Sequence, residues 1–291
     1  MMIMRPADFA YQGWYPYTKD DCLRQIKAYE KQRPACPQIN KPVGGIVPHA
    51  GWFFSGKLAY HVISCLHCGT QPDTIIILGK HTNHPDDISS RRKNSIMVSG
   101  SWETPLGPLE IDTQLSKGIQ EKFSLTIESE EDYEFDNTIE LQLPFIRHVF
   151  PKAKIVPLGI VDPSQASLSI GKYCVHAAQE LHRSIKLIGT TDMTHYGPGY
   201  GFTPQGVGEQ ALEWMTSTND QQMIDLFLHL QSEKILEEAQ KKKSCCCSAA
   251  IATLTAALQE MNVKNGVLVD YYTSHEIKPG MDFVGYAGVI Y

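Results

Sequence analysis

Apolar residues in this chain gather into short continuous runs. Between the runs lie longer stretches in which apolar positions return every three or four residues. The runs fall at residues 43–47, 74–78, 155–160, 185–189, 267–272 and 283–290. Runs of that length, without alternation, predict strands buried on both faces. The intervening stretches predict helices. Thr18-Lys19-Asp20-Asp21 resembles a capping box that opens a helix reaching about Gln32. Leu58, His61, Val62 and Cys65 share one helical face, and Asp136 can cap a helix carrying Ile139, Leu143 and Ile146, which Pro144 must kink or break. Residues 164–182, 209–238 and 248–261 complete the helical set. Residues 100–112, with Trp102, Pro105, Gly107 and Pro108, read as an ordered excursion or hairpin. Strands alternating with helices predict an α/β fold: a single domain over 1–291, with a mixed or parallel central sheet and helices on both faces.

Composition narrows this picture by exclusion. The 291 residues are 42% hydrophobic with a formal charge of −6. That balance argues against nucleic acid, which calls for a basic footprint. Lys241-Lys242-Lys243 follows Glu237 and Glu238 and reads as a solvated helix end. No stretch approaches the ~18 apolar residues of a membrane helix, and residues 1–10 carry Arg5 and Asp8 without an export signal. The expectation is a cytoplasmic protein. Its eight cysteines, three of them adjacent at 245–247, are then expected to be reduced thiols.

Chemistry collects at the strand ends. One run leads into Pro48-His49-Ala50-Gly51, another into Gly79-Lys80-His81-Thr82-Asn83-His84, and a third into Thr190-Thr191-Asp192-Met193-Thr194-His195. The carboxyl edge of an open α/β sheet is where ligands bind. Imidazole with carboxylate or thiolate is a transition-metal donor set. Cys65-Leu66-His67-Cys68 has CxxC spacing but lies on an amphipathic helix without a second CxxC, and reads as helix packing. No GxSxG elbow, phosphate loop or clean GxGxxG is present. Gly197-Pro198-Gly199-Tyr200-Gly201 reads as a loop beside the pocket.

At these residues the chain resembles the Memo family. The resemblance rests on Gly13-Trp14-Tyr15-Pro16, Pro48-His49-Ala50-Gly51-Trp52 with Ser55-Gly56, and Leu78-Gly79-Lys80-His81. It continues through Thr104-Pro105-Leu106-Gly107, Thr138-Ile139-Glu140-Leu141-Gln142-Leu143-Pro144, Thr190-Thr191-Asp192-Met193-Thr194-His195-Tyr196, the cysteine run and Tyr286-Ala287-Gly288. The matches run in order from residue 13 to 288. The resemblance implies a fold like that of class III extradiol ring-cleaving dioxygenases, which hold non-haem Fe(II) by two histidines and a carboxylate. A cysteine stands for that carboxylate in Memo proteins. His49 and His81 are therefore expected as metal ligands with Cys246 as the third, chosen by its spacing to Ile251, and Cys245 as the near alternative. Asp192 and His195 are expected at the pocket. Asn137 stands where the family often has histidine, and the glycine that follows the family's metal cysteine is absent.

The expected cofactor is iron (Fe²⁺) or copper, with zinc less favoured, and the expected chemistry is redox or oxygen-dependent. His195 would be the acid/base and Asp192 its orienting partner. Trp14 and Tyr15 would wall a flat ligand or pack in the core. The alternatives are a binding module for phosphotyrosine-type peptides in signalling, and a zinc hydrolase. Either a small molecule or a peptide would occupy the pocket, with possible protein partners in signalling, no nucleic acid and no membrane insertion. One of the three cysteines is expected to reach the metal while its neighbours pack away. His84 is expected to be no ligand.

Overall fold

The computed structural model describes residues 4–69, 71–82 and 92–291. His84 lies outside them. A central sheet runs in the order His195–Tyr196, Phe283–Ile290, Gly44–Val47, Ile185–Thr190, Thr74–Gly79, Lys154–Gly159, Ser95–Met97 and Thr126–Glu128, with Val267–Thr273 also paired to Phe283–Ile290. The middle four strands are parallel to one another. Antiparallel partners flank them on both sides. The result is a mixed, mostly parallel sheet in a single α/β domain. Every residue of Gly44–Val47 and Thr74–Gly79 is buried, as strands covered on both faces require.

Helices cover the two faces. Gln165–Glu180 and Ser248–Glu260 pack together on one, while Lys19–Gln32, Lys57–Cys65 and Leu143–Val149 pack on the other. Local chemistry sets several of their ends. The Thr18 hydroxyl accepts the Asp21 N–H at 3.2 Å, and the Asp136 carboxylate accepts the Thr138 N–H at 2.9 Å. Pro144 divides its segment as expected: one short helix is Asn137–Glu140, and the next, Leu143–Val149, takes the proline in its first turn, where no N–H is missed. The excursion at residues 100–112 contains an antiparallel pair, Ser101–Trp102 with Leu109–Glu110.

Two expectations are corrected. The single helix expected over 209–238 is a series: Glu209–Trp214, a wide turn at Met215–Asn219, Asp220–Leu228 and Ser232–Lys242. The break after Leu228 passes through Leu230 in a left-handed conformation (φ 50°). The expectation of uniformly reduced thiols fails at one pair, Cys36–Cys65, which is disulfide-bonded. The segment after Lys19–Gln32 brings Cys36 to the last residue of Lys57–Cys65, with Cα atoms 5.5 Å apart, inside the span a disulfide requires. Cys65 does end a helix and is buried, but its partner is Cys36. No helix among the described residues is long and apolar enough to cross a membrane.

Candidate metal centre

The site follows from strand order. Gly44–Val47, Ile185–Thr190 and Thr74–Gly79 are parallel neighbours, so His49, Asp192 and His81, each just past a carboxyl end, emerge side by side. Ser248–Glu260 packs against the last two of these strands, and its first turn lies at the same edge. Gly189 permits that approach: a Cβ there would lie 2.7 Å from Leu254 and 2.9 Å from Ile251. The cysteine run leading into this helix is thereby brought over the histidines. Backbone bonds clamp it, from Thr82 N–H to Cys246 O at 3.0 Å and from Cys246 N–H to Asp192 O at 3.2 Å.

The turn that carries His81 is also held. Lys80 adopts φ 77°, a left-handed conformation unfavourable for a side chain. Its N–H donates to Thr138 Oγ1 at 2.7 Å, and that hydroxyl donates to Asp136 at 2.6 Å. Its buried ammonium meets Glu128 at 2.6 Å and Glu134 at 3.1 Å. Arg5 joins Glu128 from the other side at 2.6 Å.

His49, His81, Cys246 and Cys247 converge: one donor atom from each lies within 4.8 Å of all the others. Cys246 Sγ is 3.3 Å from His49 Nε2 and 3.7 Å from Cys247 Sγ, and Cys247 Sγ is 3.9 Å from His81 Nδ1. Donors bound at ~2.0–2.3 Å around one tetrahedral ion sit roughly 3.3–3.8 Å apart. The spacing and the nitrogen–sulfur chemistry fit a transition-metal ion. The expectation that one cysteine alone turns inward is corrected here. It assumed helical spacing of successive side chains, but Cys246 precedes the helix and Cys247 is its non-helical cap (φ −120°, ψ 44°). Adjacent residues in irregular backbone can point together. Cys245 is buried outside the group, its sulfur 3.4 Å from the Thr191 hydroxyl.

Asp192 sits between the histidines. Its Oδ1 accepts the His49 backbone N–H at 2.8 Å, and its Oδ2 lies 3.9 Å from His49 Nε2 and 3.8 Å from His195 Nε2. The contact to His195 is thus an ion pair rather than a hydrogen bond. Burial opposes charge on His49, yet Asp192 and the Cys246 thiolate push its pKa up to about 9. The same balance of burial against Asp192 and Cys246 takes His195 up to about 10. Burial also opposes ionisation of Cys246, but its contacts with Cys247 and His49 hold it well below the usual thiol range. Cys247 is pushed well above that range by burial and by the neighbouring Cys246.

A cavity of about 830 Å³ opens onto His49 and His81 and is bordered by Trp14, Asn137, Asp192, His195 and Tyr200 among others. Trp14 reaches this wall. Tyr15 turns into the core, where it stacks on Trp52 at 5.4 Å and donates to Glu140 at 3.0 Å. Asn137 donates to the His49 carbonyl at 3.3 Å. Cys247 and Tyr200 were not singled out as site residues from the sequence. The cysteine run and the glycine-rich loop were the available signals.

A family model described as Memo-like protein matches residues 5–290. The chain belongs to the Memo-like family. It is 32% identical over 260 residues to a MEMO1 family protein of Thermococcus onnurineus, covering 86% of this chain and 87% of that one. A MEMO1 family protein of Pyrobaculum aerophilum is 29% identical over 303 residues, covering 100% of this Memo-like chain and 99% of the relative. The fold is similar to the crystal structure of an uncharacterized protein from Escherichia coli K12, with TM-score 0.54, 12% identity, and coverage of 86% of this chain and 99% of that one.

Proposed function

We propose that this Memo-like protein holds iron or copper through His49, His81, Cys246 and Cys247, and carries out redox or oxygen-dependent chemistry on a small molecule in the adjoining cavity. The observation that supports this reading is the convergence of two imidazoles and two sulfurs, all within 4.8 Å, at the edge of an 830 Å³ cavity. A redox-active ion, when bound, supplies one-electron chemistry that no side chain here provides. Thiolate with imidazole is a donor set that copper and iron accept. Zinc accepts it too, without redox chemistry.

The chain's own residues have separable tasks in this reading. His195 borders the cavity and is the acid/base toward the ligand. Asp192 lies between the His49 and His195 imidazoles and accepts the His49 backbone N–H. Trp14 gives the ligand an aromatic wall, and Tyr15 braces that segment from behind through Glu140. Asn137 is a neutral amide and moves no proton.

Metal analysis of protein purified without oxygen, followed by oxygen-uptake assays, tests the reading. About one iron or copper per chain is expected. His195→Ala should keep the metal and lose ~10²–10⁴-fold in rate, the usual worth of a proton-transfer group. Zinc alone with no oxygen uptake would favour a hydrolase. Tight binding of a phosphotyrosine peptide by metal-free protein would favour a binding module.

A further inference from the structure

On the sulfur side of the centre lies a second cavity of about 280 Å³, which neither His49 nor His81 borders and which shares His195 and Tyr200 with the first. Its walls come from the loop after His195, from Met193 and from Ser232–Lys242, while Cys245 and Cys246 close its buried end. At or just below the ~300 Å³ at which ligand pockets begin, it admits only a small molecule. The lining is mostly apolar, with Met193, Phe202, Leu236 and Ala239 prominent, and holds no carboxylate among the described residues.

Lys243 stands at its exposed rim. Lys241 and Lys242 pair with Glu237 and Glu238, but Lys243 makes no ion pair among the described residues. Its ammonium lies 5.7 Å from the Phe202 ring, over the cavity wall. The residue ends its helix at φ 50°. Glycine is favoured at such a cap, because it has no side chain to crowd the left-handed backbone.

We propose that this cavity binds a small apolar carboxylate, its anionic end on Lys243 and its hydrocarbon body against Met193, Phe202, Leu236 and Ala239, reaching toward Cys246. None of the named contacts needs an ion, although Cys246 and His195 border this cavity as well as the centre.

Calorimetric titration of the full chain with octanoate, octanol and octylamine tests it, with metal content measured on the same samples. Octanoate should bind, octanol at least tenfold more weakly, and octylamine more weakly still. Lys243→Gly should lower octanoate affinity at least tenfold while leaving the melting temperature unchanged or higher, because glycine suits the left-handed cap. Leu236→Trp should fill the cavity and remove binding. Octanoate binding by metal-free protein supports the proposal even where the metal reading fails. Equal affinity for octanol, unchanged affinity in Lys243→Gly, or no octanoate binding at millimolar concentration would overturn it.

Discussion

Cys246 and Cys247 stand at adjacent positions with opposite electrostatics. Contacts with Cys247 and His49 hold the first well below the usual thiol range against the cost of burial; burial and the first hold the second well above it. Cys246→Ser should reduce metal affinity by more than ~100-fold, since even groups that only orient a ligand are worth about 10–100-fold. Cys247→Ser should cost at least tenfold, and Cys245→Ser little. Competition titrations against a chelator give these values, and a strong loss in Cys245→Ser alone would shift the register by one. Tyr15 and Trp14 illustrate the limit of reading at this scale: both are aromatic and adjacent, and sequence alone does not say which faces the cavity. Below them, burial pushes the Glu140 carboxyl up to about 7, against the Phe9 N–H and the Tyr15 hydroxyl that both donate to its Oε1. A raised carboxyl pKa means the folded state holds the proton longer than the unfolded one. This group's stabilising contribution is therefore full below about pH 4.5 and is lost as pH rises through about 7. Glu140→Gln should flatten the fall in stability between those values, as chemical denaturation at several pH values can measure. An unchanged slope would count against the shift.

Among the elements, the strand Thr74–Gly79 and the turn that follows matter most to the site. Lys80 is buried, left-handed and paired to two carboxylates, and the next residue is His81. Lys80 shares Glu128 with Arg5, so its removal leaves that carboxylate still paired once, and the loss is that of hydrogen bonds to a charged group, ~1.5–3 kcal/mol. Lys80→Met should destabilise the fold by about that amount, and should also weaken metal binding by freeing the turn. A variant that is less stable yet binds metal at full affinity would separate the network from the site. Strands and helix starts were largely legible. Six continuous apolar runs match six strands, and Thr18 and Asp136 mark helix starts. What was not legible has local causes. Ser95–Met97 and Thr126–Glu128 are three residues each, too short to show a period. The helical series after Glu209 breaks at Leu230 without glycine or proline as a signal. The inward pair of sulfurs depended on where the helix Ser248–Glu260 begins, and boundaries are the least legible feature of a helix.

On the scale of the molecule, two apolar cores lie on opposite faces of one sheet, and the metal-type group sits at the carboxyl edge between them. Two parallel strands, one on each side of Ile185–Thr190, and one helix start supply its members, so His49 and Cys246, 197 residues apart in sequence, meet at 3.3 Å. The strand-end histidines and Asp192 were visible because apolar runs point at them. The disulfide Cys36–Cys65 was not, because no sequence spacing announces a pair brought together by two helices. The central claim is that imidazole nitrogen and thiolate sulfur bind one ion. X-ray absorption at the metal edge of the loaded full-length protein tests it most directly. The account predicts a mixed shell, sulfur at ~2.3 Å and nitrogen at ~2.0–2.1 Å, with two sulfurs in the wild type, one in Cys247→Ser and a severe loss of loading in Cys246→Ser. A shell of light atoms only, or a protein that retains no metal under any loading condition, would contradict it.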